Sequence, residues 1–133
     1  MSLLDDVSIV VTPNGYKAGE LYAVVPVPSE GAEEVTNGDF ASDLTGWTGY
    51  GTRSATGGVA TIGASANSGI YQGILTEGVR YTVTVNVTSY DGVGTAEFVN
   101  NNGINIYTIT ETGIQTFTFT HNNASSNLII RGL

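Results

Sequence analysis

Tyr81-Thr82-Val83-Thr84-Val85-Asn86-Val87-Thr88 alternates without a break: every odd position is apolar or aromatic and every even one polar. Successive side chains of a β-strand point to opposite faces, so this run buries one face as a strand. Wound into a helix, the same residues would scatter around the circumference and form no stripe. A one-sided strand needs a second layer beneath it. Gln115, Phe117 and Phe119 alternate with Thr116, Thr118 and Thr120 in the same manner. Residues 58–62, 68–74, 95–99, 104–109 and 127–131 are further strand candidates. Asp91-Gly92, Asn102-Gly103, Thr112-Gly113 and His121-Asn122-Asn123 punctuate them with turn-forming residues. Short strands at regular spacing predict an all-β sandwich over residues 35–133, with Tyr81, Phe117 and Phe119 facing the core. No stretch carries the pattern of an amphipathic helix, and no internal repeat stands out.

The polar positions are filled in a way that narrows the partners. Only 12% of residues are charged, and the 133-residue chain contains 18 Gly. Twelve acids and four bases leave a net charge of −8. Binding to a polyanion requires clustered cations that displace counterions. Lys17, Arg53, Arg80 and Arg131 are scattered, which argues against nucleic acid. There is no Cys, and therefore no disulfide, thiol nucleophile or thiolate metal site. Asp5-Asp6 stands where a secretory leader would carry positive charge, and Ser8 interrupts the apolar run at 7–11. No run approaches the roughly 20 apolar residues of a membrane helix. The expectation is a soluble protein with no membrane partner.

The first quarter of the chain differs from the rest. All three prolines, Pro13, Pro26 and Pro28, lie there, and the first 36 residues hold six acids and one base. The stretch Ser29-Glu30-Gly31-Ala32-Glu33-Glu34 reads as an acidic linker, which sets a boundary between an extended arm at 1–34 and the sandwich at 35–133. Two short β-branched runs occupy the arm, at 7–11 and 21–27, with a turn expected at Thr12-Pro13-Asn14-Gly15. Two strands alone are marginal in water, so the arm needs a surface to lie against. Val7, Ile9, Val10, Val11, Leu21, Tyr22, Val24, Val25 and Val27 are the candidate docking residues.

Two resemblances extend this reading. Val35-Thr36-Asn37-Gly38-Asp39-Phe40 followed by Gly46-Trp47-Thr48 resembles the opening of carbohydrate-binding-module-like jelly rolls. That resemblance implies a jelly roll that binds sugars or serves as a spacer, with Trp47 packed at the sandwich edge. Leu3-Leu4-Asp5-Asp6-Val7-Ser8-Ile9-Val10-Val11-Thr12-Pro13-Asn14-Gly15-Tyr16-Lys17, with Gly19-Glu20-Leu21-Tyr22, resembles the start of tailed-bacteriophage virion proteins. It implies a structural role on the particle exterior, as a head decoration protein or head fibre made in the host cytoplasm. Other virion proteins, such as capsid or fibre proteins, would then be partners, and a homo-oligomer, with a trimer favoured, would be the assembly. The jelly-roll resemblance also implies a further strand of the form G-x-I-D-N-V-S, which Arg131-Gly132-Leu133 does not supply. The arm is expected to fill the edge this leaves, in its own subunit or a neighbour.

Side chains capable of chemistry are few. Eight of the twelve acids precede residue 44, and Asp91, Glu97 and Glu111 are isolated, which reads as solvated surface charge rather than a catalytic pair. His121 is the only His and sits in a polar turn, where an exposed loop residue is the plain expectation. An enzyme is not expected, and no cofactor beyond a structural calcium. Calcium would fall to Asp39 and Asp43, through the jelly-roll resemblance and with backbone carbonyls. The alternative function is a glycan-binding module for host-surface adhesion on a tail or tail fibre, recognising a cell-surface glycan. A sugar stacks on an exposed aromatic ring bracketed by amides, which makes Tyr50, Tyr107 and Asn105 the candidate contacts.

Overall fold

The computed structural model describes residues 31–64, 67–92, 95–100 and 102–133, together with the backbone of 13–17 and 20–23. The chain forms two compact units, Met1–Ala32 and Glu33–Leu133. In the first, β1 (Pro13–Lys17) pairs antiparallel with β2 (Glu20–Ala23). The reversal therefore falls after Lys17 and not at Thr12–Gly15 as expected. Pro13 opens a strand instead, a place where its missing N–H is tolerated. Leu21 and Tyr22 lie on β2. Val7, Ile9, Val10, Val11, Val24, Val25 and Val27 lie outside the described residues.

The second unit is an all-β sandwich, with no helix among the described residues. Its strands are β3 (Thr48–Tyr50), β4 (Arg53–Thr56), β5 (Val59–Ile62), β6 (Ser68–Gly73), β7 (Arg80–Val87), β8 (Ala96–Asn100), β9 (Asn105–Ile109), β10 (Gly113–Thr120) and β11 (Asn127–Gly132). One layer is a five-stranded sheet in the order β3-β6-β11-β8-β9, all antiparallel. Opposite it lies the β10-β7 pair, in the register Tyr81↔Phe119, Val83↔Phe117 and Val85↔Gln115. A separate hairpin joins β4 to β5. Strands β3 and β4 were invisible in the sequence because Gly, Thr, Ser and Arg fill them, so no apolar alternation marks them.

Register decides which side chains meet. Ile70, Ile130, Phe98 and Tyr107 stand opposite one another on four neighbouring strands and share the inner face. Leu128, Ala96 and Ile109 join them by the two-residue period. Phe98, Leu128, Ile109 and Leu75 form the buried cluster, against which Tyr81, Val83, Val85, Val87, Phe117 and Phe119 pack. Phe117 anchors the aromatic contacts, with its ring centroid 5.0 Å from Phe98 and 4.3 Å from Tyr107. An irregularity between Phe98 and Val99 skips Ile106, a β-bulge on β9. The bulge lets Ile106 and Tyr107 both pack against the core while Asn105 turns to the outer face.

Two expectations about polar residues are corrected. His121 is not an exposed loop residue: it is 2% exposed. Its carbonyl accepts from the Gly78 N–H at 2.7 Å, its amide donates to the Val79 carbonyl at 2.9 Å, and its Nε2 meets the Ser125 carbonyl. The ring therefore fastens the end of β10 to the turn that follows. Glu97 is not a solvated charge: it is 4% exposed, and its Oε1 lies 3.6 Å from Arg131 Nη2 on the neighbouring strand. The sequence hid this pair because Glu97 and Arg131 are far apart in the chain and meet only through the β8-β11 register.

Candidate functional site

The described sandwich is unevenly roofed. Among the described residues β7 pairs only with β10, and β5 only with β4. Between β5 and β7 runs a groove of about 700 Å³ lined by Val59–Ile62 on one side and 84–90 on the other. Ile70, Ala96, Ile109 and Ile130 of the inner sheet face also line it. A second stretch of about 330 Å³ adjoins it, with Val83, Phe98 and Leu128 on one side and Val35, Phe40 and Trp47 on the other. In a strand, alternate residues direct their N–H and C=O groups to opposite edges. Half of the β7 main-chain groups therefore serve β10 and the other half face the groove side, where they form a template for a further strand.

The segment 35–47 builds the mouth of this groove. Asn37 adopts a left-handed φ of 52°, a conformation Asn tolerates through local hydrogen bonds. Its Nδ2 donates to the Asp43 carbonyl at 3.0 Å and the Thr45 carbonyl at 2.9 Å. Trp47 Nε1 donates back to the Asn37 carbonyl at 3.1 Å. Phe40, with φ of 48°, sets its ring 5.4 Å from Trp47, and its carbonyl accepts from the Gly58 N–H in the β4-β5 turn. Gln72 closes the knot from the sheet. Its Oε1 accepts from the Thr36 N–H at 3.1 Å and its Nε2 donates to the Thr36 carbonyl at 2.6 Å. A buried side-chain amide thus does for Thr36 what a neighbouring strand would do. The Asn37…Trp47 motif is a structural clasp, and Trp47 is held by it.

Asp39 and Asp43 lie in this clasp, and Asp39 borders both stretches of the groove. Asp43 Oδ1 accepts the Thr45 N–H at 2.8 Å. The Thr45 side chain first, and its backbone second, hold the Asp43 carboxyl below its ordinary range. Among the described residues no group of three or more His, Cys, Asp and Glu comes together. Calcium at Asp39 and Asp43 would thus rest on two carboxylates, one already engaged in a turn.

The glycan candidates separate onto two faces. Tyr107 stacks on Phe117 with 4° between the ring planes, and its hydroxyl is 3.0 Å from Gln115 Oε1. One face of that ring is therefore occupied by the core. Tyr50 and Asn105 lie on the outer face of the five-stranded sheet. There Tyr50, Gly69, Arg131, Glu97 and Thr108 form one row across the strands, beside a row of Tyr71, Ile129, Val99 and Asn105. Asn105 Nδ2 donates to Thr108 Oγ1 at 2.9 Å. The middle of these rows is closed: Val99 is 0% and Glu97 4% exposed. Sequence reasoning singles out Tyr50 and Asn105 as candidates and gives no sign of the groove. Alternation predicts which face of a strand is buried and says nothing of how many partners its edges have.

Comparison of the chain with protein-family models, curated proteins and solved structures gives no match.

Proposed function

We propose that this protein is a non-catalytic structural subunit that joins an assembly by β-strand addition. The carrying observation is the groove along β7: main-chain groups on one side, an apolar sheet face beneath, and room between β5 and β7. Strand addition uses main-chain hydrogen bonds for affinity and alternate side chains for specificity. Each apolar side chain fully desolvated there contributes about 1.5–3 kcal/mol before ordering costs. The net charge of −8 and the threonine-rich outward face of β7 suit a solvent-facing exterior and disfavour nucleic acid. The assembly to which the resemblance of the arm points is the outside of a tailed-phage particle, as a head decoration protein or head fibre.

The test is sedimentation of the full chain alone and mixed with tailed-phage particles. Association that is lost when Ala60→Trp narrows the groove supports the proposal. A monomer that ignores particles, with groove-filled and wild-type chains alike, refutes it.

A second reading, a glycan-binding module, is favoured by Tyr50, Tyr71 and Asn105, which lie in two adjacent rows of the same outer face. The closed middle of that face weighs against it. Glycan binding by the full chain that disappears in both Tyr50→Ala and Tyr71→Ala, with unchanged melting, would move the function to this face.

A further inference from the structure

The groove is apolar along its floor and acidic along its rim. Ile70, Ala96, Ile109 and Ile130 make the floor and offer no charge to an occupant. Glu33 and Asp39 line the stretch beside Val83 and Val85, and Asp91 lines it beyond the end of β7. All three carboxylates are exposed, so an arriving cation meets them while still partly hydrated. Arg131 is the only cation among the lining residues, and its Nη2 already lies 3.6 Å from Glu97. The rim is therefore an uncompensated negative field around an apolar slot.

We propose that the groove receives an extended segment of a different protein, apolar at alternate positions and carrying Lys or Arg at its ends; this rests on the strand-addition reading above. Following the wall at 84–90 takes about seven residues at roughly 3.3 Å each. Among the described residues β7 pairs only with β10, so the added strand finds main-chain groups along the other edge. Its central apolar side chains meet the floor, and its terminal cations meet Glu33, Asp39 and Asp91. Charges placed this way fix register and partner choice more than affinity. This sequence supplies no such segment itself. Lys17, Arg53, Arg80 and Arg131 are its Lys and Arg residues, and no run of about seven residues lies between two of them. The net charge of −8 adds a longer-range attraction that speeds encounter with a basic partner.

The probe is an end-blocked, fluorescein-labelled peptide, Lys-Val-Ser-Val-Ser-Val-Lys, titrated into the full chain and followed by anisotropy. Its counterpart carries Glu in place of both Lys. The basic peptide is expected to bind about fivefold more tightly at low salt, the scale of a few exposed ion pairs. The gap should close as salt is raised. Asp39→Asn should reduce the preference by about twofold, and Ala60→Trp should remove binding of both peptides. In the wild-type chain the bound peptide should slow hydrogen exchange of the β7 amides that do not serve β10, a readout that needs no variant. Equal binding of both peptides, lost in Ala60→Trp, would keep strand addition and overturn the cationic requirement. Binding of the basic peptide that survives Ala60→Trp and leaves β7 exchange unchanged would place the attraction elsewhere on the acidic surface and overturn the groove as its site. If neither peptide binds while Ala60→Trp still weakens sedimentation with particles, the groove takes a partner of other chemistry and this inference alone falls. If neither binds and the chain ignores particles, strand addition falls with it.

Discussion

The inner face of the five-stranded sheet is one surface with two fates. Toward β8 and β9, Phe98 and Tyr107 lie beneath Phe117, ring against ring. Toward β6, Ile70 is just as buried, at 1% exposed, yet it stands outside that cluster and lines the groove. The same strand, β7, produces both results. It closes one half with its side chains and leaves an edge along the other. The lesson is that burial and completion are separate properties: a face can be dry before its layer is finished.

Truncating each half tests this difference. Phe98→Ala removes a ring packed on all sides, and should cost about 3–5 kcal/mol in urea unfolding. Ile70→Ala should fall near the lower end of about 2–5 kcal/mol, because the groove lets its surroundings relax. Filling the groove should narrow the gap between the two, because Ile70 then loses the freedom of its surroundings to relax. Equal losses in the isolated chain would mean that the two halves are packed alike, and the comparison would break.

The walls of the groove depend on local conformation more than on apolar area. Gly51, between β3 and β4, has φ of +65°, and a Cβ there would run into the Asn67 carbonyl. Gly51→Ala should cost about 1–3 kcal/mol from the left-handed φ alone. Hydrogen exchange should accelerate in the β4-β5 hairpin before it does in β8 and β11. Uniform acceleration would show that the hairpin is not a separable wall.

Legibility in the sequence followed the same division. Residues 81–88 announced their buried face because the pattern is periodic and local, and Phe117 and Phe119 did likewise. The groove depends on which strands are neighbours, and pairing is a long-range outcome that alternation does not encode. Tyr107 looked available for a ligand because the β9 bulge that turns it inward leaves no mark in composition. Glu97 and His121 looked exposed because polar residues usually are; their burial depends on Arg131 and Ser125, partners supplied by register and by a turn. Gln72 gave no hint of its hold on Thr36 for the same reason.

That hold supplies a finer test. Gln72→Leu keeps the size of the side chain and removes both hydrogen bonds to Thr36. Thr36 is exposed, so water can replace the lost partner, and the expected cost is about 1 kcal/mol by thermal melting. The specific signature is faster exchange of the Thr36 amide with protection in β7 unchanged. If β7 loosens as well, the clasp and the roofed half are one cooperative unit rather than two.

The smallest effect concerns Asp43, at the far side of the clasp. Hydrogen bonds from the Thr45 side chain and backbone hold its carboxyl below the ordinary carboxylate range in the folded state. A depressed carboxyl stabilises the fold above its unfolded pKa, and that contribution is lost as pH falls through the folded value. Asp43→Asn keeps the shape and an acceptor oxygen but removes the charge. The variant should therefore melt slightly below wild type at pH 7, and the difference should vanish once wild-type Asp43 is protonated in strong acid. Because the group is fully exposed, solvent keeps the effect small, and Phe98→Ala should show no such convergence. A difference that persists at low pH would mean that the Asp43 turn is held by shape alone, and that charge contributes nothing to the mouth of the groove.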